Sequence, residues 1–162
     1  LPGKVVTAVF ADCVFIEEPN RSAGIRCLVG SSDLQVGSLV NALGTVRIEN
    51  GEKVLSDAHI TRLDIGTAGD LSPVCVSGRT MLKPGLDVTG LLVRVFGKVT
   101  KAGAYYYVLS DGFPVTSPRG AQGIEIRAGA AVIPAVGTYT AVTGVISREL
   151  VNGVPVLVIR AL

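Results

Sequence analysis

Two related segments decide the fold of this chain: "VGSLVNALGTVRIENGEKVL" (residues 36–55) and "VGTYTAVTGVISRELVNGVPVL" (residues 136–157). Both run through Val-Gly, an apolar stretch, an internal glycine, an Asn-Gly pair and a Val-Leu strand. Asn-Gly between apolar stretches is the strongest short signal of a two-residue hairpin, because a type I′ turn requires positive φ at both central residues. Each segment therefore predicts a long strand, a tight turn and a return strand.

The repeat extends upstream of these hairpins. "GKVVTAVFADCVFIEE" (3–18) corresponds to "GKVTKAGAYYYVLSDG" (97–112), and "GIRCLV" (24–29) corresponds to "GIEIRAG" (123–129). A shared order of motifs constrains the fold more strongly than any local pattern. Five strands are predicted in each copy. The predicted strands are 3–10, 12–18, 23–29, 38–49 and 52–62 in the first copy, and 91–101, 104–110, 122–128, 137–149 and 154–161 in the second.

Gly44 and Gly144 lie inside the longest predicted strands, where glycine usually marks a bulge or a sharp bend. A long bent strand allows a five-stranded sheet to close into a barrel. We therefore predict an all-β fold of two tandem five-stranded OB-like barrels joined by an irregular linker. The predicted boundaries are 1–63 for the first barrel, 64–90 for the linker and 91–162 for the second barrel.

The composition fits this architecture and excludes some classes of protein. Hydrophobic residues make up 48% of the 162 residues and charged residues 17%, so the chain can bury a core. It contains no apolar run of the ~18 residues that a membrane-spanning helix needs. Residues 1–64 carry a net charge of −2 and residues 91–162 a net charge of +4. This asymmetry is weaker than the basic stripe of a typical nucleic-acid-binding domain.

The stretches "FIEEPNRSAGIR" (15–26), "VGSLVNALGTV" (36–46), "NGEKVL" (50–55) and "GLLVRVFGKVT" (90–100) resemble tandem OB-like modules of bacterial secreted or cell-surface proteins. The resemblance covers about four-fifths of the chain. It implies an extracellular or cell-surface location and a binding role, although a fold alone does not establish a function. One departure is "GSSDLQVGS" (30–38), which is too short for the helix often found between the third and fourth strands.

The sequence contains no strong signature of catalysis or metal binding. Three cysteines and one histidine are present without a Cys-x-x-Cys pair, so a zinc site is not expected. Ser56, Asp57 and His59 lie close together in sequence, but no Gly-x-Ser-x-Gly elbow presents a nucleophile. Phosphate-binding and dinucleotide-binding glycine motifs are also absent from the sequence. We predict a protein that is not an enzyme and has no metal or cofactor; a hydrolase with a site between the barrels is the weakest alternative.

Cys13 and Cys27 flank the predicted turn around Asn20. With the turn centred there, the two cysteines stand directly opposite each other, at a Cβ separation of ~4.5–5.5 Å against the ~3.8 Å mean of disulfides. Two interpretations stay open, a disulfide or two buried free thiols. The odd third cysteine, Cys75, favours free thiols.

OB-like barrels bind single strands with aromatic side chains and a basic groove. The tyrosine run of the second copy offers such side chains, and strand alternation predicts that Tyr105 and Tyr107 share one face. We predict a non-enzymatic binding or structural module that contacts a polymer or a protein partner. The alternative is weak, salt-sensitive binding of single-stranded nucleic acid by the second barrel. The candidate binding residues are Tyr105, Tyr106, Tyr107, Arg127, Lys98, Lys101, Phe113, Arg119, Arg21 and Arg26.

Overall fold

The computed structural model of the chain describes residues 1–29, 33–67, 71–82, 85, 87–129 and 132–162. The chain divides into two units, and each is described by itself. The first unit comprises Leu1–Ser72 and Val88–Leu91, and the second comprises Pro73–Asp87 and Leu92–Leu162.

The first unit is a closed barrel of five strands. The strands are β1 (Lys4–Val9), β2 (Val14–Glu17), β3 (Gly24–Cys27), β4 (Ser38–Glu49) and β5 (Glu52–Thr67). Their order around the barrel is β1-β2-β3-β5-β4, and β4 pairs with β1 to close it. The β3–β5 pair is parallel, whereas the other pairs are antiparallel. Inward-facing β-branched and aliphatic side chains fill the core. They include Val6, Val14, Ile16, Cys27, Val40 and Leu55.

The second unit repeats this ring of strands. Its elements are β6 (Val74–Cys75), α1 (Gly78–Leu82), β7 (Leu92–Ala102), β8 (Tyr106–Ser110), β9 (Ile124–Arg127), β10 (Tyr139–Val151) and β11 (Val154–Ala161). The ring runs β7-β8-β9-β11-β10 and closes through the β10–β7 pair. Again the pair β9–β11 is parallel. β6 adds to β7 as a short parallel strand.

The all-β fold class is confirmed, and the two rings share one strand order. That order and the parallel pair in each ring are compatible with OB-like modules. Both Asn-Gly turns have the expected positive φ values, 52° and 80° for Asn50 and Gly51, and 53° and 79° for Asn152 and Gly153. The hairpin prediction is therefore confirmed in both copies.

The segment predicted as an irregular linker, 64–90, is more structured than expected. β5 continues to Thr67, and the later part of the segment forms β6 and α1, which belong to the second unit. The reason is that the short apolar run around Val74 pairs with the start of β7, at Val93 and Arg94, whereas β8 pairs with β7 only from Lys98 onward. Residues 68–70, 83, 84 and 86 of this segment lie outside the described residues, as do residues 30–32 of the predicted loop 30–38.

The predicted alignment of Cys13 with Cys27 is wrong by one position. Cys27 lies opposite Val14, and the loop between β2 and β3 runs from residue 18 to residue 23. Arg21, rather than Asn20, adopts positive φ (63°), and Glu18 N–H donates to the Ala23 carbonyl at 2.9 Å. A six-residue loop has its centre between two residues, which moves the register. Both thiols are free and buried.

Candidate binding face of the second unit

Strand β7 displays an alternating pattern of cations and an aromatic ring. Arg94, Phe96 and Lys98 are exposed, whereas Val93 and Val95 between and beside them are buried. Because successive strand residues point to opposite faces, the valines fill the barrel and the other three residues share its outer surface. Phe96 is 60% exposed, which forfeits most of the ~1.5–3 kcal/mol that full burial of such a side chain provides.

The neighbouring strand β10 supplies a second exposed ring, Tyr139. In the register, Tyr139 lies opposite Lys98 and Ala141 lies opposite Phe96. The two rings are thus diagonal neighbours, and they stack with centroids 5.9 Å apart and an interplanar angle of 20°. The small side chain of Ala141 leaves space beside Phe96. Tyr139 is 67% exposed, so both rings present free surface to solvent.

The two cations beside these rings have no ionic partner among the described residues. Neither Arg94 nor Lys98 forms a salt bridge or a side-chain hydrogen bond with any residue that the structure describes. Asp111, an acidic residue of the same region, accepts hydrogen bonds from Gly78 N–H at 2.6 Å and Phe113 N–H at 3.1 Å. We call Arg94, Phe96, Lys98 and Tyr139 the aromatic–basic face.

A groove of about 680 Å³ adjoins this face. Phe96, Lys98 and Tyr139 contribute to its lining, together with Thr100 and Gln122. The groove is therefore bordered by stacking surface, by a cation, by the Asp111 carboxylate and by hydrogen-bonding side chains. The rings can stack on planar groups, and the exposed cations can pair with anionic groups.

The tyrosine run predicted from sequence is divided among three environments. β8 begins at Tyr106, so Tyr105 precedes the strand and is 74% exposed, whereas Tyr107 is buried. The expectation that Tyr105 and Tyr107 share one face is wrong, because alternation holds only within the strand. Burial raises the pKa of the Tyr107 hydroxyl. Tyr106 is half-buried beneath the Arg119 guanidinium, which lies 3.9 Å from the ring centroid.

The predicted cations Arg119 and Arg127 belong to an internal ion network. Glu125, which is 2% exposed, lies 2.9 Å from Arg119 Nε and 2.9 Å from Arg127 Nη1. Arg127 also donates to Glu149 at 2.8 Å, and Glu149 lies 3.7 Å from Arg160. These arginines balance the buried Glu125 on β9 and the partly exposed Glu149 on β10, so the charge that they offer to a ligand is reduced.

The other candidate residues are also engaged within the protein. Lys101 Nζ donates to the Arg119 carbonyl at 2.7 Å, and Phe113 is half-buried after the Asp111 turn. In the first unit, Arg21 pairs with Glu17 at 3.4 Å. Arg26 is 7% exposed and pairs with two glutamates, Glu49 at 3.2 Å and Glu52 at 3.5 Å. Their binding role stays a prediction, and of the ten candidates Lys98 alone belongs to the aromatic–basic face.

Three members of the aromatic–basic face, Arg94, Phe96 and Tyr139, were missed at the level of sequence. The signal was present as "RVFGK" (94–98), in which arginine, phenylalanine and lysine recur at every second position. Assigning Tyr139 to this face requires the register between β7 and β10, which places it beside Phe96.

The remaining chemistry-bearing residues do not converge. Ser56 donates to the Thr45 carbonyl at 3.1 Å and to Asp57 at 3.3 Å, and Asp57 pairs with Arg47. His59 is exposed farther along β5. Among the described residues, no three His, Cys, Asp or Glu side chains form a group suited to a metal ion. Within the same residues, no helix has the length and apolar character needed to cross a membrane.

No protein-family model matches this chain, and no curated protein matches it at a significant level.

Proposed function

We propose that this protein is a non-enzymatic binding module whose second unit binds single-stranded nucleic acid at the aromatic–basic face. The observation that carries this proposal is the exposed, stacked pair Phe96–Tyr139 between two cations, Arg94 and Lys98, that have no ionic partner in the described part of the chain. Exposed rings stack on bases, and each stacked base contributes about 1–3 kcal/mol. The cations lie on the same surface and can contact the phosphates that connect successive bases.

The chemistry of the face explains why a nucleic acid is favoured over an uncharged glycan. Aromatic rings bind both nucleic acids and glycans. An uncharged glycan, however, has no anionic group that could pair with the cations on the two sides of the rings. Every base has a π-face, so such a site binds with little sequence preference. The secreted or cell-surface location implied by the family resemblance stays a separate prediction, and binding at this face does not depend on it.

Fluorescence anisotropy with labelled oligothymidylate at low salt tests the proposal. The double variant Phe96→Ala/Tyr139→Ala should weaken binding by about fivefold or more, because it removes at least one stacked base. Tyr105→Ala is the matched control, since Tyr105 is an equally exposed aromatic residue outside the face. Its affinity should equal that of the unsubstituted protein.

Two results would contradict the proposal. Absence of binding at low salt would exclude single-stranded nucleic acid, and a glycan array would then test the other class of polymer. Equal losses in Tyr105→Ala and in the double variant would show that binding does not occur at the aromatic–basic face.

A further inference from the structure

A separate cavity of about 570 Å³ lies against strand β11 in the second unit. This volume falls within the ~300–1,000 Å³ of typical small-molecule sites. The residues that line it include no aromatic side chain, so the cavity does not favour a stacked planar ligand. Its apolar walls are aliphatic. They include Met81, Leu82, Val115, Ile124, Val156 and Leu157.

Two buried polar side chains contribute to the lining of this cavity. Ser117 is 6% exposed, and its hydroxyl has no hydrogen-bond partner among the described residues. Glu125 is 2% exposed, and its Oε1 accepts no hydrogen bond from a described residue, although Arg127 Nη1 lies 2.9 Å away. Buried polar groups are nearly always hydrogen-bonded in folded proteins. A ligand hydroxyl can accept the hydrogen bond of the serine, and its proton is a donor that a carboxylate accepts.

The charge near these groups determines the kind of ligand. Arg119 and Arg127 already balance Glu125, each at 2.9 Å, so a third cation has no uncompensated carboxylate to bind. Arg148 also lines the cavity but already has an interaction partner within the protein. An anion would lose its hydration and approach the buried Glu125 carboxylate, which is unfavourable. We propose that the cavity binds a small, neutral, aliphatic molecule that carries one hydroxyl group. This site is distinct from the aromatic–basic face and does not depend on it.

Met81 provides a direct probe, because it is the only methionine of the chain and lies in the cavity wall. Methyl-labelled methionine therefore gives a single NMR signal from this chain. Titration with n-hexanol should shift this signal saturably. Hexylammonium and hexanoate, which have the same chain and a charged end, should bind more weakly.

Two variants and a control locate the binding. Ser117→Ala removes the hydroxyl without adding bulk to the cavity wall, so affinity for n-hexanol should fall about fivefold. Val156→Phe should fill part of the cavity and abolish the saturable shift, whereas Val46→Phe, at an exposed site of the first unit, should leave it unchanged. The proposal would be overturned by a Met81 signal that does not respond to n-hexanol, by unchanged affinity in Ser117→Ala, or by equal binding of either charged analogue.

Discussion

Replacing Gly144 with alanine should destabilise the second unit by about 2–4 kcal/mol. An added Cβ would lie 2.7 Å from Ile159 Cγ2 and would collide with the Arg160 carbonyl oxygen across the β10–β11 pair. Cβ atoms essentially never approach carbon this closely, and the backbone of a closed ring can move only by disturbing its pairing. Overpacking of this kind costs about 1–3 kcal/mol. Weakening one ladder hydrogen bond adds about 1 kcal/mol.

Chemical denaturation of the full chain measures this effect as a change in the free energy of unfolding. Thr143→Ala is the matched control, because it places alanine at the adjacent position of the same strand. Its cost should stay below about 1 kcal/mol, the whole span of measured strand propensities. Equal destabilisation by the two substitutions would refute the reasoning that close approach of β10 and β11 requires glycine at position 144.

Two further predictions concern buried ionisable groups in the first unit. Burial, and secondarily the nearby Cys13, raises the pKa of the Cys27 thiol from 9.0 to about 12. Because the unfolded chain loses this proton at a lower pH than the folded protein, the free energy of unfolding falls as the pH rises between these two values. Cys27 should contribute a loss of up to about 1.4 kcal/mol per pH unit to the free energy of urea unfolding, so the fall in stability should be smaller in Cys27→Ala. An equal fall in the unsubstituted protein and in Cys27→Ala would contradict it. Glu52→Gln should cost about 2–3 kcal/mol, because its side chain is 1% exposed beside Arg26, whereas Glu49→Gln, at a side chain that is 46% exposed, should cost less than about 1 kcal/mol. Similar losses in both, measured by chemical denaturation, would show that burial does not distinguish these ion pairs.

The two rings of strands could be predicted from sequence because Asn-Gly pairs mark their tight turns and internal glycines mark positions within their long strands. The Asn50-Gly51 and Asn152-Gly153 turns fix the long hairpins, and the repeated order of motifs fixes the number of strands. Gly44 coincides with a register shift in β4, as a glycine inside a strand predicts. Gly144 instead lies in regular register where β10 pairs with both β7 and β11, and close approach explains it.

The candidate site could be predicted only in part, because it depends on register and on ion pairing. Lys98 was found from its position in the second copy, but its neighbour Tyr139 comes from a strand about 40 residues later in the sequence. The charge of Arg127 does not reveal that Glu149, from another strand, already pairs with it. The high strand propensity of the tyrosine run does not predict which of its rings is exposed. That depends on packing and on the residue at which β8 begins.

The salt dependence of single-strand binding tests the central claim most directly. A single-stranded ligand gives a slope of about −0.7 per neutralised phosphate, so the two cations of the aromatic–basic face predict about −1.4. Between about 50 and 200 mM salt the affinity of the protein for oligothymidylate should fall about sevenfold. The double variant Arg94→Gln/Lys98→Gln should bind more weakly and lose nearly all of this dependence, whereas Lys53→Gln, at an exposed lysine of the first unit, should retain it. An unchanged slope in the double variant would contradict the assignment of nucleic-acid binding to this face.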